Sequence, residues 1–229
     1  MGKADLHIHS DYGDGLASVK EIMDYVEHKT DLHVIAITDH DDIEGSLKAK
    51  ELARNYRFDV IVGIEVTTWW GHLLCYDIKN PIRKFTSLEQ TLDETHEQGG
   101  FCIIPHPMSF LTCSVGKRAI EKIHVEKKRF DGIEIWNPSG AGMVRQERAM
   151  QLNTQWKYPE TGGSDAHVKE NIGRAYTEFP GTTVSDFRRA LKEKTTIAYG
   201  MPLYRSHYAH EIQLRFKKHK WNLWRIMWG

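Results

Sequence analysis

The segment Ala4-Asp5-Leu6-His7-Ile8-His9-Ser10 sets two imidazoles two residues apart among alternating apolar and polar side chains. With a strand's period of two, His7 and His9 share one face while Leu6 and Ile8 take the other. Two imidazoles on one face of a strand end can hold a metal ion. They can equally be polar residues facing solvent, so the reading turns on whether the rest of the chain supplies further ligands. Candidates recur along it: Asp14, His40, Glu65, His72, His106, Asp165 and His167. Imidazole and carboxylate together suit zinc, manganese or iron(II), whereas a thiolate site would need cysteines. The three cysteines, Cys75, Cys102 and Cys113, lie in or near apolar stretches with no Cys-x-x-Cys spacing, which reads as free, mostly buried thiols. A carboxylate such as Glu65 can bridge two ions at roughly 3.5–4 Å and so generate a bridging hydroxide, a nucleophile for attack on phosphorus. Such a reaction rests on positioning and electrostatics and needs no Ser or Cys nucleophile.

The elements that must position these residues alternate. Short apolar runs at 33–38, 59–66, 101–104 and 131–136 read as buried strands. Helical spacing follows Ser18, which forms a capping box with Glu21, and recurs over 44–57, 87–98, 145–155 and 184–194. The basic stretch 116–128 reads as a solvated helix, and Trp69-Trp70-Gly71 as the turn of a hairpin into 72–76. Seven or eight β/α units close most simply into a barrel, an α/β fold whose chemistry gathers at the carboxyl ends of its strands. His7 and His9, His40, Glu65, His106, Asp165 and His167 all fall at or just beyond such ends, with Asp14 in the first loop and His72 opening the hairpin.

At 229 residues the chain fits one domain with a sizeable core. Lys and Arg number 31, as do Asp and Glu, so no global field argues for nucleic acid or an anionic membrane. No basic, apolar leader and no apolar run long enough to span a membrane is seen, and the expectation is a cytoplasmic protein.

The motifs Asp-Leu-His-Ile-His-Ser, Thr-Asp-His-Asp, Gly-Ile-Glu-Val, Pro-His-Pro and Gly-Ser-Asp-Ala-His follow in this order, and over residues 4 to 200 the chain resembles the PHP (polymerase and histidinol phosphatase) family. The resemblance implies a distorted (β/α)7 barrel over residues 1–202 with three divalent ions, manganese, zinc or iron, at the C-terminal ends of its strands. It implies that His7, His9, Glu65 and Asp165 hold the first ion, Glu65, His72 and His106 the second, and Asp14, His40 and His167 the third. Glu65, Asp165, His167 and His40 are then the expected catalytic residues. Asp39 and Asp41, flanking His40, are either groups that orient an imidazole or an acidic turn. Asp5 reads as structural.

For the substrate, the expected cationic clamps are Arg145 and Arg174, with Arg118 a weaker candidate. Asn137 and Trp136 are placed to border a sugar or base, and Trp69-Trp70 either walls the site beside His72 or packs in the barrel. Residues 203–229 carry six Lys or Arg against Glu211 alone, with Trp221, Trp224 and Trp228. They read as a basic helical extension, packed on the barrel or touching nucleic acid, a membrane surface or a second subunit. The expected function is a metal-dependent phosphoesterase acting on a phosphate monoester of a small molecule, a nucleotide or a sugar phosphate. Its alternatives are a 5′-3′ exonuclease or nucleotide phosphodiesterase, a histidinol-phosphate phosphatase, and a catalytically silent metal-stabilised module.

Overall fold

A computed structural model of the chain describes residues 1–125, 130–201, 209 and 213–214. Among these, no helix is long and apolar enough to cross a membrane. The expected extension at 203–229 falls almost wholly outside the described residues.

Among the described residues, ten strands form two sheets. The first has the order β10 (Ile197–Gly200), β9 (Ala175–Phe179), β1 (Gly2–Ile8), β2 (Val34–Ile37), β3 (Asp59–Val60). The second runs β4 (Gly63–Thr68), β5 (Gly71–Tyr76), β6 (Phe101–Ile104), β7 (Gly132–Trp136), β8 (Glu160–Gly162). Parallel pairing links β1 to β2 to β3, and β6 to β7 to β8, as βα alternation requires. β5 pairs antiparallel with both its neighbours, and β9 antiparallel with both β1 and β10.

The expected (β/α)7 barrel is therefore a mixed α/β fold of two five-stranded sheets, which meet at two seams without a continuous ladder. At one seam a lone parallel bridge joins His40 to Glu65, with the Asp41 amide donating to the Glu65 carbonyl at 3.0 Å. At the other, the Thr177 hydroxyl spans Gly162, accepting from its amide at 3.0 Å and donating to its carbonyl at 3.2 Å. The physical reason is local. β3 is only two residues long, so it cannot carry the first sheet on to β4; β5 returns through a tight turn, and β9 follows a loop with one short 3-10 turn (Lys169–Asn171), where a barrel repeat would use an α-helix.

Helices α1 (Val19–Lys29), α2 (Glu44–Leu52), α3 (Leu88–Glu97), α4 (Lys117–Val125), α5 (Gln146–Trp156) and α6 (Val184–Glu193) cover the sheets. Ser18 with Glu21, Ser87 with Gln90 and Thr183 with Asp186 form capping boxes that start α1, α3 and α6; such caps contribute about 1 kcal/mol each. Val19, Ile22, Met23 and Val26 form the buried stripe of α1, and Phe187, Ala190 and Leu191 that of α6. Phe187 meets Phe179 edge-on at 5.3 Å, and each such side chain stabilises the fold by about 1.5–3 kcal/mol. The expected buried thiols are found at Cys75 and Cys102, 3.8 Å apart as free thiols. Cys113 differs: it is exposed on the loop after β6.

Candidate metal centre

Nine side chains from both sheets converge where the first seam opens. β1 delivers His7, with His9 just beyond its end, and β4 and β5 deliver Glu65 and His72. The turns after β2, β6 and β8 deliver His40, His106, Asp165 and His167, and the loop after β1 delivers Asp14. Alternation along β1 points His7 and His9 the same way, with ring centroids 5.2 Å apart.

Glu65 is the hub. Its Oε2 lies 3.3 Å from His7 Nε2, 3.4 Å from His9 Nε2 and 3.2 Å from His40 Nδ1, and its Oε1 lies 2.9 Å from His72 Nδ1 and 3.1 Å from His106 Nε2. Asp165 Oδ1 lies 3.2 Å from His9 Nε2 and 3.5 Å from His7 Nε2, and His167 Nε2 lies 3.1 Å from Asp14 Oδ2. Four sets of donor atoms are close enough together to share an ion: His9, Asp14, His40 and His167; His7, His106 and Asp165; His7, His9 and Glu65; His40, Glu65 and His72. His9 and His40 each link the set that holds Asp14 and His167 to a set that holds Glu65.

The donor set fits divalent metal ions. Both ring nitrogens of His9 and the Nδ1 atoms of His40 and His72 are buried without a hydrogen bond, although carboxylate oxygens lie within ion-pair reach of them. Buried polar atoms left this way are costly, and a coordinated cation satisfies them. The protonation pattern agrees. Burial would lower the His7 pKa, but Asp165, Glu134 and Glu65 together hold it well above its ordinary value. Burial would raise Glu65, yet His7 and the hydrogen-bonding imidazoles press it well below the carboxylate range. His9, buried and beside His167, is driven down to about 4. Without ions, protons on some of the imidazoles balance the carboxylates.

Support for these side chains is dense. Asp39 accepts from the Ser10 amide at 2.6 Å and its hydroxyl at 2.5 Å, so it clasps the loop that carries Asp14 and does not touch the His40 ring. Asp41 accepts from the Thr67 amide at 2.7 Å. Ser114 Oγ meets His106 Nδ1 at 2.8 Å, and the Ser139 hydroxyl donates to Asp165 Oδ2 at 2.8 Å. His106 and Asp165 both have positive φ, 29° and 51°, a strained backbone that tends to gather at functional sites. Asp5 is structural: buried, it accepts from the amides of Ser164 and Gly173, and burial pushes its pKa up to about 6.

The expected substrate residues are placed unequally. Asn137 is buried, with its amide donating to Glu134 Oε2 at 2.8 Å and lying 3.3 Å from Asp165 Oδ2, so it braces the cluster. Arg145 stands on the loop after β7, its guanidinium 5.2 Å from the Phe110 ring centre. Arg174 precedes β9, where its charge is felt by Tyr25 of α1, and Arg118 lies in the first turn of α4. Trp136 lies against Gly200 of β10. Trp69 and Trp70 do not pack in the interior: they are 68 % and 57 % exposed at the hairpin tip. Tyr12 and Phe110 are likewise exposed, on loops leaving the same strand ends.

One residue of the cluster was passed over in the sequence. Glu134 on β7 is buried, and its Oε1 meets His7 Nδ1 at 3.0 Å while its Oε2 accepts from the His106 amide at 2.8 Å. The signal was available: Gly132-Ile133-Glu134-Ile135 repeats the pattern of Gly63-Ile64-Glu65-Val66.

The profile of a family described as PHP-associated matches residues 145–196. An uncharacterized protein of Methanocaldococcus jannaschii is 32% identical over 146 residues, covering 59% of this chain and 81% of the relative. A 5'-3' exoribonuclease of Haemophilus influenzae is 30% identical over 100 residues, 42% of this chain and 36% of that protein. Among solved structures, a two-domain protein from Bacteroides vulgatus containing a predicted PHP-like metal-dependent phosphoesterase superposes with a TM-score of 0.72 at 20% identity, over 94% of this chain and 69% of that one. That last likeness bears on the fold.

Proposed function

Because the chain belongs to the PHP family of metal-dependent phosphoesterases, we propose that it hydrolyses phosphate monoesters at the cluster around Glu65, with a nucleotide or sugar phosphate as substrate. The observation that carries this reading is the convergence of five imidazoles on one buried carboxylate. His7, His9, Glu65 and Asp165 would hold one ion, Glu65, His72 and His106 a second, and Asp14, His40 and His167 a third. Bound divalent ions supply Lewis acidity and a water acidified toward neutral pH. The chain's own residues do the positioning. Asn137 and Ser139 hold the Asp165 carboxylate, Ser114 holds the His106 ring, and the Asp39 clasp holds the loop of Asp14. Arg145, on the loop after β7 beside Phe110, is the cation we assign to the substrate's phosphate oxygens.

The test is reconstitution. Metal-depleted protein refilled with manganese or zinc should release phosphate from a panel of esters, and Asp165→Ala should abolish release while circular dichroism stays that of the wild type. Fully metallated wild type that releases no phosphate from any of the panel overturns the reading.

A second reading, a 5′-3′ exonuclease, is favoured by the exposed Tyr12, Trp69, Trp70 and Phe110, since unpaired bases stack on such side chains. The Haemophilus influenzae exoribonuclease supports it. Faster turnover of a short 5′-phosphorylated oligonucleotide than of a mononucleotide would select this reading over the first.

A further inference from the structure

The two oxygens of Glu134 have different neighbours, and the difference constrains where a proton sits inside the cluster. Oε2 accepts two hydrogen bonds, from the His106 backbone amide and from Asn137 Nδ2, both at 2.8 Å. Neither donor can reverse. A backbone amide is always a donor, and the Asn137 side chain is fixed because its own Oδ1 accepts from the Ser139 amide at 3.0 Å. Oε1 faces His7 Nδ1 at 3.0 Å. A carboxylate can only accept, so Nδ1 must carry the hydrogen. His7 Nε2 then points to the space bounded by Glu65 Oε2 at 3.3 Å and Asp165 Oδ1 at 3.5 Å.

We propose that Glu134 is a positioning residue: it keeps the His7 hydrogen on Nδ1 so that Nε2 is the atom presented to the first ion, and through the His106 amide it ties the second ion's turn to the same anchor. This rests on the reading of the cluster as a metal centre. Glu134 itself belongs to none of the donor sets that could share an ion. Its hydrogen bond fixes both the ring's orientation and its basicity.

Glu134→Gln tests the assignment because it barely changes volume. The two fixed donors demand the new carbonyl oxygen at the Oε2 position, so the amide nitrogen must turn to His7. Nδ1 then has to accept, the hydrogen moves to Nε2, and the ligand atom is blocked. Zinc titration of the full chain, followed by elemental analysis, should show the variant binding its tightest ion about ten- to a hundredfold more weakly. In zinc-loaded wild type, long-range proton–nitrogen correlation should find the His7 hydrogen on Nδ1. Wild-type affinity and stoichiometry in Glu134→Gln overturn the proposal, and so does a wild-type His7 protonated at Nε2. The second measurement decides the matter even if the variant does not fold. Failure of the phosphoesterase reading would look different: zinc would load and the His7 hydrogen would sit on Nδ1, but no ester would be cleaved.

Discussion

His7, His9, Glu65 and His106 are buried at strands or strand ends, whereas Asp14, His40 and His167 hang from loops on the open side. The Glu65 carboxyl is 1% exposed, against 49% for Asp14 and 32% for His40. The floor is preorganised by sheet ladders and by fixed donors such as the His106 amide. The rim is held by the Asp39 clasp to Ser10, by the His167–Asp14 contact and by His167 Nδ1 against the Asp165 carbonyl at 3.0 Å. A metal centre of the proposed kind, built in this way, should separate tenacious binding from exchangeable binding within a single cluster, because only the floor pays the full desolvation cost of its ligands in advance.

Breaking the floor should have the largest effect. Glu65→Gln removes a carboxylate that faces five imidazoles and should lower phosphoesterase turnover by about a thousandfold or more, about 4 kcal/mol of barrier. It should also lose more than one equivalent of metal by elemental analysis. Turnover near the wild-type level would mean that the hub is not the bridge. At the rim, Asp14→Asn should cost one equivalent at most and about tenfold in turnover, about 1.4 kcal/mol, with excess metal restoring part of it. An equal loss at floor and rim would erase the distinction.

A third effect, comparable to that at the rim, is on stability without metal. Burial would lower the His167 pKa, but the Asp14 hydrogen bond and the charges of Asp165 and Asp14 raise it from 6.5 to about 9. A raised histidine stabilises the fold fully below its unfolded pKa and loses that contribution as pH climbs through the folded value. Chelated protein should therefore lose stability between about pH 6.5 and 9. The contribution of this pair is about 1–2 kcal/mol once solvent screening at the half-exposed Asp14 is allowed for. Urea unfolding of wild type and Asp14→Asn at both pH values isolates it, since the variant should show the shallower pH dependence.

Much of this was legible in the sequence where local pattern and chemistry coincide. Period two placed His7 and His9 on one face, and Ser18 with Glu21 marked the start of α1. The motif order brought together nine residues that the structure sets in one cluster. The two-sheet arrangement was not legible, because the two-residue β3 and the antiparallel return at β9 depend on tertiary pairing and leave no local signature. The place of Arg174 was less legible: it precedes β9, where its charge acts on Tyr25 of α1, and lying after a strand end in sequence does not fix which way a turn faces. Glu134 was legible only as a repeat of the Glu65 pattern; its role needs the facing strand, since an acid in an apolar strand otherwise resembles any solvent-facing polar position.

Gly163 carries a consequence of its own. A Cβ there would run into Glu134 Oε1 and lie 2.7 Å from His7 Cβ, and its φ is not among the positive values of the chain. The backbone would accept alanine; the space would not. In a scan of every substitution at every position, this residue without a side chain should be as intolerant as the ligands around it, a vacancy under the same selection as the atoms it accommodates.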